Sequence, residues 1–152
     1  MRSDYRNDTA FTVIELLAVL GLMVAVSAIA VSQLQQLNDP LEDSTAELVS
    51  FFKQVRARAI STTSAYTVVP LSSSEVVTHY SATCGDEDTT DDSRLTLDLP
   101  TGVRLSDTDW SVCYNSRGLP DDNVLIELSA AGGRGRFVEV FLGGAVKEVD
   151  GD

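Results

Sequence analysis

From Phe11 to Val31 the chain reads FTVIELLAVLGLMVAVSAIAV, apolar except for Glu15 and a few small or hydroxyl residues. About 20 such residues at a rise of ~1.5 Å make a helix of roughly 30 Å, the thickness of a bilayer core. A short polar segment, residues 1–10, precedes it. Ala10, the small residue able to serve as a signal-peptide cleavage site, lies before the apolar run rather than after it. The run is therefore expected to stay on the mature protein as an anchor.

Glu15 is the informative residue within the run. A carboxylate in a spanning helix costs roughly 2.5–3.5 kcal/mol on insertion scales. The surrounding Leu, Val and Ile offset that cost, but it asks for a partner. Cleavage between Ala10 and Phe11 would create an amine on Phe11, four residues before Glu15. That amine is placed to neutralise Glu15 of a neighbouring copy as helices stack. Without such a partner, the stretch is a signal anchor with one stray acid near its end.

The run Ala10-Phe11-Thr12-Val13-Ile14-Glu15-Leu16-Leu17 resembles the class III signal of type IV pilins and type II secretion pseudopilins. The resemblance implies that a prepilin peptidase removes residues 1–10, that Phe11 becomes N-methylated, and that Glu15 is the family's assembly glutamate. Ala10 stands where Gly is usual before the cut, and Ser32 where many members carry a Pro.

Arg2 and Arg6 in the leader fit retention of that end in the cytoplasm, which puts the rest of the chain across the bacterial inner membrane. Small residues recur at Ala18, Gly21, Ala25, Ala28 and Ser32, on one helical face. Such a face lets helices approach closely in lipid; alternatively, small residues simply fill a membrane helix.

The 152 residues suffice for this anchor and one small domain of about 110–120 residues. Net charge is −12, a surface that repels nucleic acid and anionic lipid at long range. Cys84 and Cys113 are the two cysteines. In a periplasmic domain they can pair; the alternative is two free thiols in a core.

Asn38-Asp39-Pro40-Leu41-Glu42 signals a bend and a restarted helix. Asp39 suits the N-cap, Pro40 the first turn, and Glu42 a capping box. Leu41, Leu48, Phe52, Val55 and Ala59 repeat at helical spacing as a core stripe, with Lys53, Arg56 and Arg58 largely off it. The helix fades at residues 61–64. Strands are then expected over 66–69, 76–81, 95–99, 103–105, 110–114, 124–128, 137–142 and 145–149, with Gly143-Gly144 as a two-residue hairpin turn. The fold class is α+β and pilin-like. A long N-terminal helix, membrane-spanning in its first half, is packed in its second half by a C-terminal antiparallel β-rich domain. Residues 1–10 form a cytoplasmic leader, 11–38 the transmembrane and assembly helix, and 39–152 a periplasmic globular domain with its helix over about 40–61.

Residues 85–93, GDEDTTDDS, carry five carboxylates. They are either calcium ligands, though without EF-hand spacing, or a solvated, self-repelling loop. The single histidine, His79, falls in an expected strand. No GxSxG, HExxH, P-loop or CxxC occurs. No enzyme, metal or cofactor is expected.

Asn115-Ser116-Arg117-Gly118-Leu119-Pro120 reads as a tight turn, and Gly133-Arg134-Gly135-Arg136 leads into the last strands. These segments resemble the GspH/FimT branch of pseudopilins, with its N-S-R-G turn and G-R-x-R loop. The resemblance implies a minor pseudopilin of a type II secretion system. The alternative is a FimT-like minor pilin of a type IV pilus, in pilus assembly or DNA uptake. The implied partners are other pilins in a filament, the prepilin peptidase, the inner membrane and a secretion or pilus assembly platform. In the FimT-like case DNA is added, contacted by Arg134 and Arg136 with help from Arg117 and Lys147. Glycine beside arginine suits phosphate approach; the same loop also reads as a Gly-rich turn whose arginines pair with acids such as Glu139.

Overall fold

The computed structural model describes residues 12–36 and 39–149, with the side chains of all but 27–36. The leader, the Ala10–Phe11 junction and the bend expected at Asn38 lie outside the described residues. The chain divides into two units, residues 1–38 and 39–152.

In the first unit, helix α1 spans Val13–Gln36. Its start is a reciprocal cap. The Thr12 N–H and hydroxyl donate to Glu15 Oε2 at 2.9 and 3.0 Å, and the Glu15 N–H returns to Thr12 Oγ1 at 3.4 Å. Every described side chain from Thr12 to Val26 is exposed, including Val13, Ile14, Leu16 and Leu17. Among the described residues no helix is long and apolar enough to cross a membrane; the described side chains of α1 end at Val26.

The second unit begins with α2 (Pro40–Thr62). Asp39 is its N-cap, accepting the Leu41 N–H at 3.1 Å, with Pro40 in the first turn where a missing N–H costs nothing. The Glu42 carboxylate lies 3.5 Å from Arg136, and this pairing replaces the reciprocal capping bond expected of it. Thr63 ends the helix with φ +56, a left-handed position more often held by glycine. Leu41, Leu48, Phe52, Val55 and Ala59 are all buried, as their spacing dictates, and Phe51 joins them. The buried Thr45 hydroxyl donates to the Leu41 carbonyl at 2.6 Å, so that face carries no unpaired polar atom there.

Two antiparallel sheets pack on α2. In the first, β1 (Ala65–Ser72) sits between β2 (Glu75–Ser81) and β6 (Val112–Tyr114). The outer edge of β2 is shared by β3 (Thr90–Asp91) and β4 (Leu97–Asp98). The second runs β5 (Val103–Leu105), β7 (Val124–Ala130), β8 (Gly135–Val140) and β9 (Val146–Val149). Phe52 is the hinge of the core, with ring centroids 6.1 Å from Trp110 and 6.4 Å from Tyr114. Burying a side chain of this kind contributes about 1.5–3 kcal/mol.

Two further expectations change. The loop between β8 and β9 has three residues, not two. Phe141 and Ala145 still pair (2.9 Å), and Gly144 takes φ +79 at the third loop position. The acidic segment also holds a short strand, β3. It has no apolar alternation to announce it, because it is held to β2 by backbone pairing and one polar side-chain contact, His79 to Asp91.

Candidate functional site

The two arginines of the 133–136 segment flank the start of α2. Arg134 forks onto the N-cap, with Nη1 2.5 Å from Asp39 Oδ2 and Nη2 3.4 Å from Oδ1. Arg136 pairs with Glu148 on β9 and with Glu42. Asp39 therefore works twice, as helix cap and as the carboxylate of an arginine fork. The Arg134 guanidinium, and after it the Leu41 N–H, hold the Asp39 carboxyl below its usual range. The Glu148 carboxylate likewise holds the proton of Arg136 more firmly. The pairs are open to solvent, which screens them, so they position the loop more than they stabilise it.

The pairing with acids expected of this loop is present, but Glu139 is not the acid. Its Oε1 accepts from Asn123 Nδ2 at 3.1 Å. Nor do Arg117 and Lys147 join the loop. The turn holding Arg117 lies against Ile60 near the end of α2, since a Cβ built on Gly118 would meet Ile60 Cδ1 at 2.6 Å. From Asp39 to Ile60, at ~1.5 Å per residue, is roughly 30 Å. Lys147 alternates with Glu148 along β9 and so points to the opposite face from the Arg136 pair. The four cations are therefore dispersed, and no continuous basic patch forms from them.

The 115–120 turn is tight. The Gly118 N–H donates to the Asn115 carbonyl at 2.8 Å, and Asn115 Oδ1 accepts the Arg117 N–H at 2.9 Å. The sequence pattern missed what holds it. Arg56 turns inward, donating from Nε to the Gly118 carbonyl (2.9 Å) and from Nη1 to the Gly144 carbonyl (2.8 Å). One guanidinium thus ties the end of α2 to two loops 62 and 88 positions away. Gly144 is required at its place: φ is +79, and a Cβ would sit 2.7 Å from the Gly118 carbonyl and 2.8 Å from Arg56.

Cys84 and Cys113 are brought together as a disulfide, Cα–Cα 5.9 Å, tying the loop after β2 to β6. His79 lies on β2 with Nδ1 2.7 Å from Oδ1 of the exposed Asp91. Two other acids of the 85–93 segment take separate partners: Asp86 accepts the Thr83 N–H, and Asp92 faces Arg58 at 3.9 Å. Among the described residues no three metal-ligating side chains converge. The Tyr114 hydroxyl is buried with no hydrogen-bond partner, and burial pushes its pKa up to about 12.

No family model matches the sequence, and no curated protein does. Among solved structures, the chain is similar in fold to the type IV minor pilin FimU of Pseudomonas aeruginosa. In one crystal form the TM-score is 0.56 at 12% identity, covering 72% of this chain and 88% of that one. In a second form it is 0.55 at 13% identity, covering 72% and 93%. The likeness is one of fold: an α+β, pilin-like arrangement of N-terminal helix and antiparallel sheets.

Proposed function

We propose that this protein is a minor pseudopilin of the GspH/FimT type, a structural rather than catalytic subunit of a type II secretion pseudopilus. Prepilin peptidase removes residues 1–10, Phe11 is methylated, and the helix from Phe11 to Asn38 anchors the subunit in the bacterial inner membrane. The globular unit then lies in the periplasm, among other pilins and beside the assembly platform. One observation carries this reading. The described part of α1 is apolar and exposed along its length, yet it begins with a carboxylate. A helix apolar on all sides is stable only when lipid or other helices surround it. In the unassembled chain Glu15 is satisfied by Thr12. On assembly, the freed amine of a neighbouring Phe11 takes over that role. Incorporation of Glu15→Leu into filaments tests this. The proposal expects the variant to be excluded; incorporation equal to wild type would reject the pairing.

A second reading, a minor pilin of a type IV pilus, is favoured by the likeness in fold to the type IV minor pilin FimU. Deletion separates the two: retained exoproteins with intact surface fibres mark the secretion machine, and lost fibres the pilus. DNA contact through Arg134 and Arg136 belongs to this second reading. It requires phosphate to displace Asp39, Glu42 and Glu148, so binding would be weak and steeply salt-dependent. Equal gel mobility of wild type and the Arg134→Ala, Arg136→Ala double variant at low salt would reject it.

A further inference from the structure

Most arginines near the start and end of α2 are committed to partners. Arg58 and Arg94, which share one surface, are among those that are not. Arg58 has only a 3.9 Å contact with Asp92, and the exposed Arg94 guanidinium has no partner among the described residues. In a chain of net charge −12, these two guanidinia are brought together on one surface.

They stand over a cleft of about 440 Å³ between the last turns of α2 and the segment Asp91–Arg94. Its floor includes Tyr80, partly exposed and stacked on Tyr66 with centroids 5.8 Å apart and planes at 29°. Asp91, Asp92 and Ser93 complete the side facing Arg58. A second hollow of about 430 Å³ shares Arg58, Asp92 and Arg94, so the three residues form a ridge between two adjoining depressions.

The lining constrains the ligand. A polyphosphate or nucleic acid would meet Asp91 and Asp92 and be repelled. A neutral apolar ligand would leave the Arg94 guanidinium without use. A ligand carrying one carboxylate, several hydroxyls and a C–H face fits each group in turn. The guanidinia take the carboxylate, since planar forks match that geometry. The aspartates and Ser93 accept the hydroxyls, and the Tyr80 ring takes the C–H face. We propose that this cleft binds a uronic acid residue of an acidic saccharide chain, with the adjoining hollow receiving the next sugar. The site is independent of the filament reading above.

The test is a titration of the full-length chain in micelles of a detergent without a sugar head group, followed by amide NMR. The probes are D-glucuronate, D-glucose, acetate and inorganic phosphate. Glucuronate should shift the amides of Arg58, Tyr80 and residues 91–94, with a Kd in roughly the millimolar range. Glucose and acetate should each bind about tenfold or more weakly, the loss expected for one charge-assisted hydrogen bond or one stacked face. Arg94→Gln, which breaks no contact of the folded chain, should reduce glucuronate binding to the level of glucose. Tyr80→Ser should weaken both sugars and leave acetate unchanged. The proposal is overturned if glucuronate shifts nothing, or if acetate or phosphate binds as well as glucuronate, which marks a plain anion patch. An Arg94→Gln chain that binds glucuronate like wild type overturns it equally.

Discussion

Replacing Arg56 by Met should cost the globular unit far more than an ordinary surface substitution. The guanidinium makes two hydrogen bonds, at 2.9 and 2.8 Å, to carbonyls of Gly118 and Gly144. A hydrogen bond from a charged donor contributes about 1.5–3 kcal/mol when buried. Arg56 is half-buried, so water recovers part of the loss, and about 2–3 kcal/mol for the pair is the reasonable expectation. Met keeps the aliphatic stem that packs beside Gly118, so the change isolates the polar head. For a domain of about 110 residues that corresponds to roughly 10–20 °C in Tm. Urea unfolding of residues 39–152 reads it directly, because the single tryptophan, Trp110, packs on Phe52 in the core. The midpoint should fall with the slope unchanged. Arg94→Gln serves as the control and should stay within about 0.5 kcal/mol of wild type. An Arg56→Met unit equally close to wild type would refute the reasoning: the clamp would then be geometry without net stabilisation.

Three further outcomes can be checked on the same unit. Removing the disulfide by Cys84→Ala with Cys113→Ala should cost about 3–4 kcal/mol in the loop-entropy picture for a separation of 29 residues, read by denaturant midpoint. The Tyr114 phenol, held to about 12, should ionise late in an alkaline absorbance titration. Since its folded pKa is raised, its contribution is complete below about pH 10 and is lost as pH climbs towards 12; Tyr114→Phe should remove that loss and, with no hydroxyl bond to break, leave neutral stability intact. Asp39 works the other way. Its folded pKa is depressed by Arg134 and the Leu41 N–H, so its contribution is present above the unfolded value near 4 and disappears as pH falls below it. Asp39→Asn should lower stability at neutral pH and flatten the acid limb of a stability–pH curve.

Local periodicity carried the reading of α2 and of the longer strands. The stripe Leu41, Leu48, Phe52, Val55 and Ala59 is buried because a 3.6-residue repeat leaves it no other face, and β7 and β8 alternate as half-buried strands do. Long-range pairing was not visible in the same way. Arg56 lies largely off the stripe, and its position there says nothing of a partner. Its partners are carbonyls in two distant loops, which no local pattern encodes. The 133–136 arginines read equally well as facing acids or phosphate, and the acids that take them come from the start of α2 and from β9. Glu139, adjacent in sequence, is spent on Asn123. The short strand β3 was hidden because an edge held by backbone bonds needs no apolar side chains. Arg58, Arg94 and Tyr80 come from three separate segments and meet only in the folded unit.

The reading as an anchored filament subunit rests on what happens at the start of the apolar helix. The intact mass and N-terminal sequence of the protein, recovered from the membranes of its own cells, report this directly. The account predicts a chain beginning at Phe11 with one methyl group on its amine. A mature chain that still carries Met1 to Ala10 would contradict it.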